Sequence, residues 1–139
     1  MKTTEVLCVG ETMVMVTPDD ASPLRTAPEC RLRPGGAESN VAAHLAGLGH
    51  TVEWAGALGT DALGDLVVDQ LILAGVGISL VTRDPHRRTA VYFKDPSPEG
   101  TRVLYYRDGS AASAMTPAAI EGWRAHEPRI AHTSGVTPA

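Results

Sequence analysis

Apolar positions along this chain switch between two periods, and the switching predicts its elements. Val6-Leu7-Cys8-Val9 is an unbroken apolar run ending at Gly10, the pattern of a strand buried on both faces. Met13-Val14-Met15-Val16 continues as strand and stops at Thr17-Pro18-Asp19-Asp20. Pro18, Pro23, Pro28 and Pro34 then punctuate a loop-rich stretch, with one short strand near Cys30 to Arg33. From Ala37 to Leu48 an Ala/Leu/Val-rich run reads as a helix, and Gly49 stands where a helix-ending glycine is expected. Thr51 to Leu58 reads as a second core strand. Asp61 opens a helix to about Leu73, on which Leu63, Leu66, Val67, Leu71 and Ala74 share one face. Ile78 to Thr82 is a short strand. Thr89 to Phe93 and Thr101 to Tyr106 form a hairpin around the loop Asp95 to Gly100. Thr116 caps, and Pro117 opens, a helix to about Ala125. Arg129 to Thr133 is a last core strand, running into Ser134-Gly135-Val136.

Strands alternating with helices give an α/β fold class with a parallel sheet. The hairpin segments break that alternation and form a small separate sheet. The 139 residues suit one domain with a real core. A net charge of −4 with no long basic run gives no reason to expect nucleic acid. No apolar run approaches membrane-spanning length, and the opening residues are too short for a signal peptide, so cytoplasm is the default. The two cysteines, Cys8 and Cys30, lack metal-ligand spacing, and the five histidines are scattered.

Candidate chemistry begins at Pro34-Gly35-Gly36-Ala37-Glu38-Ser39-Asn40. A glycine turn feeding a helix lets a ligand approach the main chain. The first helical amides have no partner inside the helix and lie at the positive end of its dipole, which suits oxygen-rich ligands. Asn40 sits one turn in. Gly56-Ala57-Leu58-Gly59-Thr60-Asp61 is a strand, a turn and a helix start, in which Asp61 needs no role beyond capping. Neither a dinucleotide fingerprint nor a Walker phosphate loop is present. In Tyr105-Tyr106-Arg107-Asp108-Gly109-Ser110 alternate residues face the same way, so Tyr105 and Arg107 point together, and Tyr92 on the partner strand joins them. The planar fork of Arg107 suits a carboxylate. The plainer alternative is a cross-strand aromatic pair beside a solvated arginine.

The phrases Gly35 to Ala42, Leu45 to Gly49 and Gly56 to Gly64 resemble the N-terminal half of ribokinase-like (PfkB) carbohydrate kinases. The Tyr105 to Ala111 string is similar to that of 2-keto-3-deoxygluconate kinases, whose substrate is a sugar acid. Glu38 in the glycine turn, Met15 in place of a sugar-gripping Asp, and His132 to Ala139 favour that subgroup. The resemblance implies a ribokinase-like parallel sheet flanked by helices. Residues 1–139 would be the sugar-binding half, with lid strands near 12–33 and 88–107. It implies that Gly35, Gly36 and Asn40 hold hydroxyls, that Tyr92, Tyr105 and Arg107 hold the acid end, and that Val136 lines the sugar. The family's Gly-Ala-Gly-Asp segment, with its Asp base, does not occur before Ala139, so the chain reads as truncated before the ATP-binding half. ATP and Mg2+ are implied for the complete enzyme; neither is expected to bind this chain, and no catalytic residue is assigned. A homodimer through the lid is implied for the complete protein. Two alternatives stay open: a fructokinase- or ribokinase-type enzyme for a neutral sugar, and a non-catalytic sugar-binding product.

Overall fold

Two four-stranded sheets, joined by four crossings of the chain, organise the protein. The structure is a computed structural model and describes residues 3–135. In chain order the elements are β1 (Val6–Val9), β2 (Met13–Pro18), β3 (Cys30–Gly35), α1 (Ala37–Gly47), β4 (Val52–Gly59), α2 (Ala62–Leu73), β5 (Val81–Asp84), β6 (Val91–Ser97), β7 (Gly100–Tyr106), α3 (Pro117–Glu121) and β8 (Ile130–His132).

The first sheet is parallel, in the order β5-β4-β1-β8. Val6, Cys8, Val52, Trp54 and Leu58 bury one face of it against Ala42 of α1 and Val67 and Leu71 of α2. Leu7 and Ala55 bury the other face with Trp123. This two-sided burial is why β1 is apolar throughout rather than alternating. Each such Val or Leu contributes about 1.5–3 kcal/mol when fully buried. Burial, then the nearby Glu38, pushes the Cys8 thiol up to about 11, so it stays protonated and packs as a small apolar group.

The second sheet has the order β3-β2-β6-β7. β2 pairs antiparallel with β3 and parallel with β6, and β6 pairs antiparallel with β7. Its register sets Met15 beside Tyr92 and Tyr92 beside Tyr105. Val14 at its base is fully buried in the main core, which ties the two sheets together. β7 is an exposed edge strand along its whole length.

Three boundaries differ from the sequence reading. The strand expected at 78–82 lies at Val81–Asp84: Gly77 bridges to Glu53 of β4, a turn closed by Val81 N–H on the Ile78 carbonyl (3.1 Å) then interrupts the pairing, and the ladder with β4 resumes at Val81. The hairpin strands run through much of the expected loop, leaving Pro98 and Glu99 as the turn. Pro96 is tolerated in β6 because the pairing of β6 with β2 has already stopped at Phe93, so its missing N–H breaks no ladder there. The helix expected to reach about residue 125 gives way after Glu121 to a 3-10 turn at Gly122–His126, where glycine weakens the helix.

Candidate functional site

The crossings between the sheets meet at one place: Gly10 to Thr12 between β1 and β2, Gly35-Gly36 between β3 and α1, Thr89-Ala90 ahead of β6, and Arg107 to Ser110 after β7. Between the first two of these crossings and the tyrosines of β6 and β7 lies a pocket of about 250 Å³. Gly35, Gly36 and Asn40 line one side of it, Tyr92 and Tyr105 the other, and Glu11 and Glu38 also border it. Five of the seven residues singled out from the sequence therefore share one concavity. Arg107 reaches it through Glu11. Val136 lies outside the described residues.

The glycine turn acts through space rather than through unusual backbone angles. Gly36 is extended, at φ −162 and ψ 140, a conformation open to any residue. A Cβ there, however, would fall 2.5 Å from the Glu11 carbonyl oxygen and 2.8 Å from the Ser39 and Thr12 hydroxyls. At Gly35 a Cβ would strike the Tyr92 hydroxyl at 2.2 Å. What the two glycines provide is close packing of this turn against Glu11 and Thr12 on one side and Tyr92 on the other. No side chain caps α1 at Gly36. Gly36, Ala37 and Glu38 at this uncapped helix start border the pocket.

On the opposite wall the Tyr92 and Tyr105 rings stand 5.8 Å apart, tilted by 37°. This is the cross-strand aromatic pair that the register dictates. Burial, with a smaller effect of Tyr105, pushes the Tyr92 phenol up, so it remains a neutral group that both donates and accepts. Arg107 is partly exposed but ion-paired. Its Nη2 donates to Glu11 Oε1 at 2.8 Å, and the Glu11 side chain is only 5% exposed. Burial raises the Glu11 carboxyl, while Arg107 and Ser110 pull it back part of the way. Ser110 Oγ approaches Glu11 Oε2 at 3.5 Å.

Two carboxylates at the site escaped the sequence reading. Glu11 stands directly after a buried strand and Gly10, and a charged residue at that strand end was the legible signal. Glu38 was read as a mark of the sugar-acid subgroup, with no role at the site. It is buried, and its Oε1 accepts hydrogen bonds from the Ser134 amide (2.8 Å) and the Ser134 hydroxyl, pinning the end of β8 to α1. That contact joins residues 96 positions apart, and local pattern cannot show it. Asp61 caps α2: Oδ1 accepts from Gly64 N–H at 2.8 Å and Oδ2 from Thr89 N–H at 2.9 Å.

A model of the pfkB family carbohydrate kinases matches residues 3–138. The chain belongs to that family. It is 32% identical over 138 residues to a 2-dehydro-3-deoxygalactonokinase of Haloferax volcanii, covering 99% of this chain and 43% of that protein. It is 33% identical over 137 residues to a 2-dehydro-3-deoxygluconokinase of Bacillus subtilis, covering 97% and 42%. Among solved structures, a PfkB protein from Polaromonas sp. JS666 superposes at a TM-score of 0.88 with 39% identity, over 96% of this chain and 45% of that one. A fructokinase with bound ATP from Xylella fastidiosa superposes at 0.80 with 27% identity, over 94% and 39%. The fold is therefore the ribokinase-like α/β arrangement of pfkB kinases, and the chain spans less than half the length of these relatives.

The pfkB kinases use ATP, but the donors gathered here do not fit a nucleotide. The pocket presents two carboxyl groups and two phenols, and the guanidinium beside it is already bound to Glu11. Among the described residues no group of three or more His, Cys, Asp or Glu side chains gathers to hold a metal ion. No step of phosphoryl transfer is assigned to these residues.

Proposed function

We propose that this chain is the sugar-recognition half of an ATP-dependent kinase acting on 2-keto-3-deoxygluconate (2-dehydro-3-deoxygluconate) or a closely related sugar acid. The observation that carries the reading is the convergence of the glycine turn, Asn40 and both tyrosines on one pocket, with an arginine anchored at its border. In this reading Gly35, Gly36 and Asn40 hold sugar hydroxyls, and Tyr92, Tyr105 and Arg107 hold the keto-acid end. Val136 lies close to Ser134 in sequence and lines the sugar. The terminal hydroxyl, at the far end from the carboxylate, receives the phosphoryl group. ATP and Mg2+ serve the complete enzyme, in the cytoplasm, through residues outside this site. The names of the Haloferax volcanii and Bacillus subtilis relatives support the substrate class.

A kinase for a neutral sugar is the second reading, favoured by the Xylella fastidiosa fructokinase's similarity over nearly the whole chain. Arg107 separates the two. Calorimetric titration of the purified protein and its Arg107→Ala variant with 2-keto-3-deoxygluconate and with fructose decides between them. The sugar-acid reading expects the variant to lose tenfold or more in affinity for the acid, about 1.4 kcal/mol per factor of ten. Unchanged acid binding would move the assignment to a neutral sugar.

A further inference from the structure

The contact that holds Arg107 has a consequence for selectivity. Arg107 is 41% exposed as a side chain and sits just beyond the end of β7. A long side chain so placed samples many rotamers unless something holds it, and ordering it when a ligand arrives lowers affinity. Glu11 supplies the hold in advance, through an ion pair of 2.8 Å from a carboxylate that is itself buried. The anchor is firm on both sides. The Glu11 carbonyl packs so closely on Gly36 that a Cβ there would lie 2.5 Å away, and the Glu11 carboxylate also meets Ser110 Oγ. One residue thus connects the glycine turn to the arginine across the pocket. A guanidinium has five N–H donors in a planar fork, so one carboxylate contact does not exhaust it.

We infer that Glu11 is a positioning residue for acid selectivity: it holds the Arg107 guanidinium in the orientation that receives the carboxylate of a sugar acid. This rests on the sugar-acid reading above. Glu11 acts on the ligand's charge through Arg107, so its removal should change the preference for acid over neutral sugar rather than all binding alike.

The test is the ratio of affinities for 2-keto-3-deoxygluconate and fructose, measured by titration of the purified wild-type, Glu11→Ala, Glu11→Gln and Arg107→Ala proteins. Glu11→Ala is expected to lower the ratio about tenfold. Glu11→Gln, which keeps an acceptor for the arginine, should recover it to within about threefold of wild type. If alanine does not fold, Glu11→Asp takes its place: it draws the carboxylate back by one methylene and should show the same loss. A wild-type ratio in Glu11→Ala or Glu11→Asp, alongside a reduced one in Arg107→Ala, would overturn the role of Glu11 and leave the sugar-acid reading standing. A glutamine variant no better than alanine would overturn it too. A wild-type ratio in Arg107→Ala would bring down both.

Discussion

Gly35 and Gly36 are adjacent, yet a methyl group at each has different consequences. At Gly36 the obstacles are the Glu11 carbonyl oxygen and two hydroxyls packed beneath it, and main chain does not yield. Gly36→Ala should lower stability by about 1–3 kcal/mol, the range for overpacking a tight site. At Gly35 the obstacle is the far end of the Tyr92 side chain, which can swing away. Gly35→Ala should therefore fold nearly as well and bind sugar more weakly, because the displaced phenol is part of the pocket wall. Thermal melts and sugar titration of the two variants check the contrast. Titration provides a second residue-level prediction. Burial works to raise Asp61, but hydrogen bonds from Thr89 and Gly64 and the charge of Arg83 outweigh it and leave it below the usual carboxylate range. Its stabilising contribution is present above that range and lost as pH falls through the lowered value. Glu11 is raised, so its contribution is present at acid pH and lost as pH rises through the raised value. Relative to Asp61→Asn, the wild type should lose melting temperature toward acid pH. Relative to Glu11→Gln, it should lose it toward neutral pH. Parallel pH dependence in the two pairs would contradict the assignment.

At the scale of elements, period and punctuation carried most of the fold. β1 is apolar throughout because both of its faces are covered, and α2 shows one apolar face because only one is. Both conditions print themselves on neighbouring residues. The helix start at Asp61 was legible for the same reason, since its bond to Gly64 spans three positions. What stayed hidden was non-local. The place where β5 begins depends on a turn at Ile78 and on its partner β4, not on its own residues. The anchoring of Arg107 by Glu11 and of Ser134 by Glu38 joins segments distant in sequence. β7 poses a further question, because it presents an unpaired edge with Leu104 and Tyr106 exposed, and Leu32 of β3 is exposed in the same sheet. Exposed apolar edges of this kind invite pairing with another chain. In our reading the lid pairs with a second copy in the complete protein. Sedimentation equilibrium at micromolar concentration should then give a dimer, and Leu104→Asp a monomer; a wild-type monomer would contradict it.

Across the whole molecule, the parallel sheet is the support and the second sheet a cover, and the pocket lies where the chain passes between them. This placement explains why its residues come from 11, 35–38, 40, 92 and 105, far apart in sequence and each at or near the end of an element. The pfkB family supplies the sugar-kinase frame. In our proposal the pocket recognises a sugar acid whose carboxylate meets Arg107 and whose hydroxyls meet the glycine turn. The most direct test is a crystal structure of the protein soaked with 2-keto-3-deoxygluconate. The ligand carboxylate is expected within hydrogen-bond distance of Arg107, beside Tyr92 and Tyr105, with hydroxyls on Gly35, Gly36 and Asn40. A ligand bound the other way round, or at another site with this pocket empty, would contradict it.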